Sequence, residues 1–234
     1  MKLLILTQVV DTVDSDLGFF VRWIEEFAKQ VERIEVICLK EGKHNLPTNV
    51  YVHSLGKEKG ASRAAYVLNF YRYIWRFRRD YDAVFVHMNP EYVVLGGIFW
   101  RLWGKRIALW YTHKSVNLKL RIAALFVHDI FTASREGCPL ATNKLHAIGH
   151  GIDTAIFHAP VRAFGTPLRI VSVGRITPIK NLDTLVEVVA LLKERRIDAT
   201  ITLIGAPIKP SDEAYLELLK ELAKKRNVSE KVRF

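Results

Sequence analysis

Short apolar runs alternate with amphipathic stretches along the whole chain. Residues 2–8 (KLLILTQ) are too short and too apolar for a helix and predict a strand. Residues 18–30 then place Phe20, Trp23, Ile24 and Phe27 at helical spacing. A second apolar run over 34–39 completes a β-α-β opening. The same reading predicts strands over 50–54, 83–87, 106–111, 129–132 and 144–148, with helices over 64–79 and 91–102. Turn residues dominate 149–166, and the series then restarts. Strands are expected over 168–173 and 199–204, and helices over 181–196 and 211–226, the latter capped by Ser211-Asp212; a last strand begins at 231.

Strands separated by helices imply parallel sheets covered on both faces. The expected class is therefore α/β, with a complete Rossmann-like domain over 1–160 and a partial second one over 166–234. The second is read as partial because a parallel strand at a growing sheet edge leaves backbone groups and apolar surface uncovered. A truncated polypeptide is expected on that ground.

Composition narrows the class further. Half of the 234 residues are hydrophobic, enough for a proper core. Two cysteines, Cys38 and Cys138, suit neither a disulfide framework nor a metal cluster, so a reducing, cytoplasmic setting is expected. The run after Met1-Lys2 is short for a signal peptide. The longest uncharged apolar piece, 92–100, falls well under the roughly 18 residues of a membrane span.

The net charge of +11 is unevenly distributed. Seven basic residues and one acid lie between Lys57 and Arg79, interleaved with Tyr66, Phe70, Tyr71, Tyr73, Trp75 and Phe77, and no acid occurs from Tyr92 to His128. At helical pitch, Val67, Tyr71, Ile74 and Arg78 share one face while Arg72, Arg76 and Arg79 share another. Two readings stand side by side. Residues 61–79 form either a helix lying on an anionic membrane surface, with the protein peripheral on the inner face, or a surface helix whose aromatics pack inward and whose arginines stay solvated. No RNP-like, zinc-finger or helix-turn-helix pattern accompanies the charge, so no nucleic-acid partner is expected.

The most informative segment is 168–181, LRIVSVGRITPIKN. A β-branched run stops at Gly174, and Arg175 and Lys180 flank a turn before a helix. Glycine permits close backbone approach, and the helix start adds unpaired amides and a positive dipole end. The segment is a candidate phosphate clamp; a strand-ending glycine with two solvated cations is the alternative.

In order along the chain, MKLLILTQ with DLGFF, ALWYTHK, TASRE, IGHGIDTAIF and SVGRITPIKNLDTLVEV resemble the retaining GT-B glycosyltransferases of family 4. The resemblance implies two Rossmann-like domains facing each other across a cleft, the first for the acceptor and the second for the nucleotide-sugar donor. It implies hexosyl transfer with retention, in a process such as cell-envelope polysaccharide synthesis. No metal or other cofactor is expected. The implied partners are a nucleotide-sugar and a glycan or lipid-linked acceptor. Gly174, Arg175 and Lys180 would hold the donor diphosphate, where negative charge grows as the glycosidic bond breaks. His113, just past a strand's carboxyl end, would stand by the transferred sugar.

Gly18 and Asp16 in the first strand-to-helix turn, with Ser134 of TASRE, would lie on the acceptor side. Only Gly18 stands where many relatives carry two glycines, and Asp14 and Asp16 serve equally as helix caps. Ser134, His150 and Asp153 serve equally as turn residues, with Gly151 supplying positive φ. Glu213 and Glu221 fit the spacing of the family's donor glutamates, but they lie on an amphipathic helix and are read as surface charges.

With its nucleoside-binding half missing, the fragment is expected to turn over weakly or not at all. A non-catalytic module holding a lipid-linked or polysaccharide acceptor at the membrane is the alternative. A nicotinamide enzyme is disfavoured because no G-x-G-x-x-G follows a strand.

Overall fold

The computed structural model describes residues 1–158 and 167–234 and divides into two compact units, Met1–Ile152 and Asp153–Phe234. The expected junction, 149–166, brackets that division, and its part from 159 to 166 lies outside the described residues.

The first unit runs β1 (Lys2–Val10), α1 (Phe19–Ala28), β2 (Arg33–Glu41), β3 (Val50–Ser54), α2 (Arg63–Arg76), β4 (Ala83–His87), α3 (Pro90–Leu102), β5 (Arg106–Trp110), α4 (Leu118–Phe126), β6 (Asp129–Thr132) and β7 (Leu145–Ala147). Its sheet is parallel throughout, in the order β3-β2-β1-β4-β5-β6-β7. β1 pairs with β2 on one side and β4 on the other, so Leu3 stands opposite both Ile34 and Ala83. Burial on both faces explains its continuous apolar run: Leu3, Leu4, Ile5 and Leu6 are all buried.

α1 covers one face with Phe20, Val21 and Ile24, against Ile5, Val36 and Phe85. α2, α3 and α4 cover the other, where Phe70, Trp100 and Leu120 meet Leu4, Val86 and Leu109. Because successive strands leave β1 in opposite directions, a crevice opens at the carboxyl ends of β1 and β4.

Helix α4 is absent from the pattern-based expectation. Its sequence, LKLRIAALF, is apolar nearly all round and shows no period, yet Asn117 caps it by accepting from the Leu120 N–H at 3.0 Å. Its partner α3 supplies Gly97, where an added Cβ would come within 2.8 Å of Phe126. That missing side chain lets the two helices close.

α2 is helical as expected and capped by Ser62, but its faces differ from the predicted ones. Phe70 and Ile74 form the buried i,i+4 pair, while Val67 faces outward. Leu68 is 70% exposed and Trp75 53% exposed, on the same outer surface as Arg72, Arg76 and Arg79. Arg78 lies past the helix end, and its guanidinium donates to the Trp75 carbonyl.

The second unit runs β8 (Leu168–Val173), α5 (Leu182–Glu194), β9 (Ala199–Ile204), α6 (Pro210–Lys225) and β10 (Val232–Arg233), with parallel order β10-β9-β8. Among the described residues, α5 and α6 pack on one face, through Val186, Val189, Leu219 and Ala223 on Ile201 and Leu203. On the other side Val171, Val173 and Ile204 lie exposed, with no helix over them among the described residues.

The cap of α6 also differs from expectation. Pro210, with fixed φ and no N–H, suits the first helical position, so the helix starts early and Lys209 is its cap. Asp212 reaches back from inside the first turn and accepts from the Lys209 N–H at 3.2 Å.

Candidate active site

The strand ends of the second unit are bare backbone. Gly174 follows β8 with φ 151° and Gly205 follows β9 with φ 153°. The Gly174 N–H donates to the Ile204 carbonyl at 2.9 Å, and a Cβ on Gly205 would overlap the Gly174 oxygen. Two glycines at adjacent strand ends therefore meet main chain to main chain, leaving room at the carboxyl edge.

Arg175 follows directly. A 3-10 turn over Pro178–Lys180 then leads through Asn181, at φ 52°, into α5. The stem of Lys180 runs beside Gly174, its Cε 3.8 Å from where a Cβ would stand. Both cations are exposed, and among the described residues neither has a carboxylate or hydrogen-bond partner. The acids nearby are engaged elsewhere. Asp183, in the first turn of α5, accepts from the Tyr215 hydroxyl at 2.7 Å. Asp212 accepts a hydrogen bond from the Thr177 side chain, which together with the Ile208 and Lys209 N–H groups holds its carboxyl below the usual carboxylate range. Those bonds pin the turn from behind and leave Arg175 and Lys180 facing solvent. The first amides of α5, expected to be unpaired, are not, because the Asp183 N–H donates to the Tyr215 hydroxyl oxygen at 3.2 Å and the Thr184 N–H to the Asn181 carbonyl at 3.3 Å.

The close approach of Gly205 to Gly174 is not among the sequence-based expectations. The signal was present, since GAPIK after β9 echoes GRITPIK after β8.

At the carboxyl edge of the first unit the loops after β1, β5 and β6 carry Gly18, His113 and Ser134. Asp14 closes the first loop by accepting from the N–H groups of Asp16 at 3.1 Å and Leu17 at 2.9 Å. A Cβ on Gly18 would come within 2.7 Å of the Asp14 carbonyl and 3.0 Å of the Thr12 carbonyl. The loop's own backbone thus demands this glycine. Asp16 is exposed, and among the described residues no side chain caps α1. The Ser134 hydroxyl accepts from the Gly137 N–H at 3.1 Å and is occupied in its turn. In GHGID, Gly149 carries positive φ, 78°, and Gly151 does not, so the expected assignment moves by two residues. Asp153 accepts from the Ala155 N–H at 3.0 Å, and the His150 ring lies 5.7 Å from that of Trp110.

His113 is exposed and oriented. The Ser115 N–H donates to its Nδ1 at 3.0 Å, so the neutral ring carries its proton on Nε2. The Tyr111 hydroxyl braces the same loop by donating to the Ser115 carbonyl at 2.7 Å. His113 therefore offers an outward donor in a fixed loop.

A second histidine, His87 at the end of β4, has the opposite surroundings. It is 1% exposed, stacks on Phe20 at 3.9 Å, and lies with Nδ1 3.3 Å from the Thr7 hydroxyl. Burial pushes its pKa down to about 4, so it stays neutral near pH 7. Among the described residues no three His, Cys, Asp or Glu side chains converge as a metal site, and no helix is long and apolar enough to cross a membrane. Glu213 and Glu221 lie exposed on α6, whose Glu217 pairs with Lys220 at 2.7 Å.

Parallel sheets with loop-borne polar groups at their carboxyl edges, in two consecutive units, define an α/β protein of the GT-B fold type. Residues 153–234 match the family model described as glycosyl transferases group 1. No curated protein sequence matches the chain. Among solved structures, HepE of Anabaena in complex with UDP is 16% identical, with a TM-score of 0.69 over 100% of this chain and 68% of that one. A glycosyltransferase from Rickettsia africae is 14% identical, with a TM-score of 0.65 over 99% and 67%. A UDP-GlcNAc 2-epimerase from Methanocaldococcus jannaschii is 14% identical, with a TM-score of 0.54 over 100% and 72%. At these identities the likeness is one of fold.

Proposed function

We propose that the protein transfers a sugar from a nucleotide-sugar donor to an acceptor, with the donor diphosphate at Gly174, Arg175 and Lys180. The observation that carries this reading is the pair of cations, unpartnered among the described residues, beside bare backbone. A leaving nucleoside diphosphate gains negative charge as the glycosidic bond breaks. A guanidinium and an ammonium fixed at that point favour the transition state over the ground state. His113 donates through Nε2 to a hydroxyl of the transferred sugar and orients it. The match of 153–234 to the glycosyl transferases group 1 model supports the donor-side assignment.

The resemblance to family 4 extends the proposal to hexosyl transfer with retention, without a metal or other cofactor, on a glycan or lipid-linked acceptor. Gly18, Asp16 and Ser134 border the acceptor side. Gly18 and Ser134 contribute loop shape, and the exposed carboxylate of Asp16 is the group able to reach a hydroxyl.

The test is incubation with a panel of UDP- and GDP-sugars in the presence of a chelator. Release of nucleoside diphosphate that depends on Arg175 and Lys180 supports the proposal. Epimerised nucleotide-sugar with no release overturns it in favour of the other chemistry found on this fold.

A peripheral membrane position is the accompanying reading, favoured by Leu68 and Trp75 lying exposed among Arg72, Arg76 and Arg79. Retention by anionic but not neutral vesicles at low salt supports it, and retention by neither removes it.

A further inference from the structure

A cleft of about 450 Å³ opens beside the switch point of the first sheet, within the range of about 300–1,000 Å³ typical of small-ligand sites. Gln8 of β1 and Asn89 at the head of α3 contribute to it from strand ends. Leu39, Val67 and Leu95 supply apolar walls over the buried Leu55 and Phe70, and Arg63 contributes from the first residue of α2. The exposed lining is mainly apolar.

Its polar groups divide into engaged and free. Asn89 donates to the His87 carbonyl at 3.0 Å, and Glu91 is paired with Lys119 at 2.8 Å. Among the described residues, the side chains of Gln8 and Arg63 have no hydrogen-bond or ion-pair partner. The acid in the lining is thus neutralised while the guanidinium is not. The outer surface of α2 continues the same character, with Val67 and Leu68 exposed beside Arg72.

An apolar slot with one unpaired cation and one free amide is complementary to a molecule that is apolar along its length and anionic at its head. We propose that this cleft binds a single-chain amphiphile with a phosphate-bearing head, the chain lying against Leu39, Val67 and Leu95 and the phosphate meeting Arg63 and Gln8. The identification of this amphiphile as the acceptor rests on the transferase reading. It makes the acceptor lipid-linked through phosphate.

The test is calorimetric titration of the whole chain with octyl phosphate, octyl glucoside and inorganic phosphate, each below any micelle-forming concentration, with UDP titrated in parallel. Octyl phosphate is expected to bind at least tenfold tighter than either of the others. Arg63→Ala removes its advantage over octyl glucoside. Val67→Asp, at an exposed lining position, weakens both alkyl ligands about tenfold, and neither substitution changes UDP affinity. Equal binding of the two octyl ligands to wild type, equal binding of octyl and inorganic phosphate, or indifference to both substitutions overturns the inference. UDP binding that depends on Arg175 without octyl phosphate binding leaves the transferase reading intact and removes the cleft assignment. Octyl phosphate binding without UDP binding does the reverse.

Discussion

The carboxyl edges of the two sheets are built from the same strand-turn-helix parts and use their polar side chains in opposite ways. In the first unit Asp14 closes a loop with two N–H groups, Ser134 closes another, and His87 is buried against Phe20 and Thr7. In the second unit the acids Asp183 and Asp212 are tied back to Tyr215 and Thr177, and Arg175 and Lys180 face solvent with no partner among the described residues. Side chains whose bonds are already made shape the edge, while those left unanswered are available to a ligand. By that measure the second edge suits an anion. The first is mostly architecture, except at His113 Nε2, Asp16, Gln8 and Arg63.

The sharpest way to break this contrast is at the shared glycine contact. Gly205→Ala drives a Cβ into a backbone oxygen at φ 153°, and is expected to cost about 3 kcal/mol or more and to abolish UDP binding. Urea unfolding and calorimetry read both effects. Unchanged stability would mean the two strand ends do not meet.

His87 gives the next largest effect. Its folded pKa of about 4 lies below the ordinary 6.5, so the unfolded chain binds the extra proton between those values. Its contribution is fully present above pH 6.5 and is lost as pH falls towards 4, by about 3 kcal/mol. His87→Gln should flatten that part of the stability–pH curve. A variant as acid-sensitive as the wild type would show that the ring is not held neutral.

Smaller effects separate loop shape from binding. Asp14→Ala and Ser134→Ala should each cost about 1 kcal/mol in urea unfolding, with UDP affinity unchanged. A loss of UDP affinity in either would put ligand contact on the edge that otherwise serves as architecture.

Much of this fold was legible in the sequence, because short β-branched runs between turn residues have few alternatives. The strands 50–54, 83–87, 129–132, 168–173 and 199–204 fall where periodicity put them. Periodicity failed where it carries no contrast, as in α4, and where two faces of one helix are both mixed, as in α2. Cap chemistry misled at Asp212, since Pro210 begins the helix before the Ser-Asp pair. Candidate site residues were legible as types at strand ends, but their state was not. That Thr7 meets His87, or that Gly205 lies against Gly174, depends on strand pairing between residues far apart in the chain. Whether a cation is free is a fact about its neighbours in space.

The most direct test of the anion site is the calorimetric affinity of UDP for wild type, Arg175→Ala and Lys180→Ala, with uridine as control. A charge-assisted contact contributes about 1.5–3 kcal/mol, so each substitution should weaken UDP by about ten- to a hundredfold and leave uridine unaffected. UDP bound equally by all three proteins would contradict the anion site at Gly174, Arg175 and Lys180.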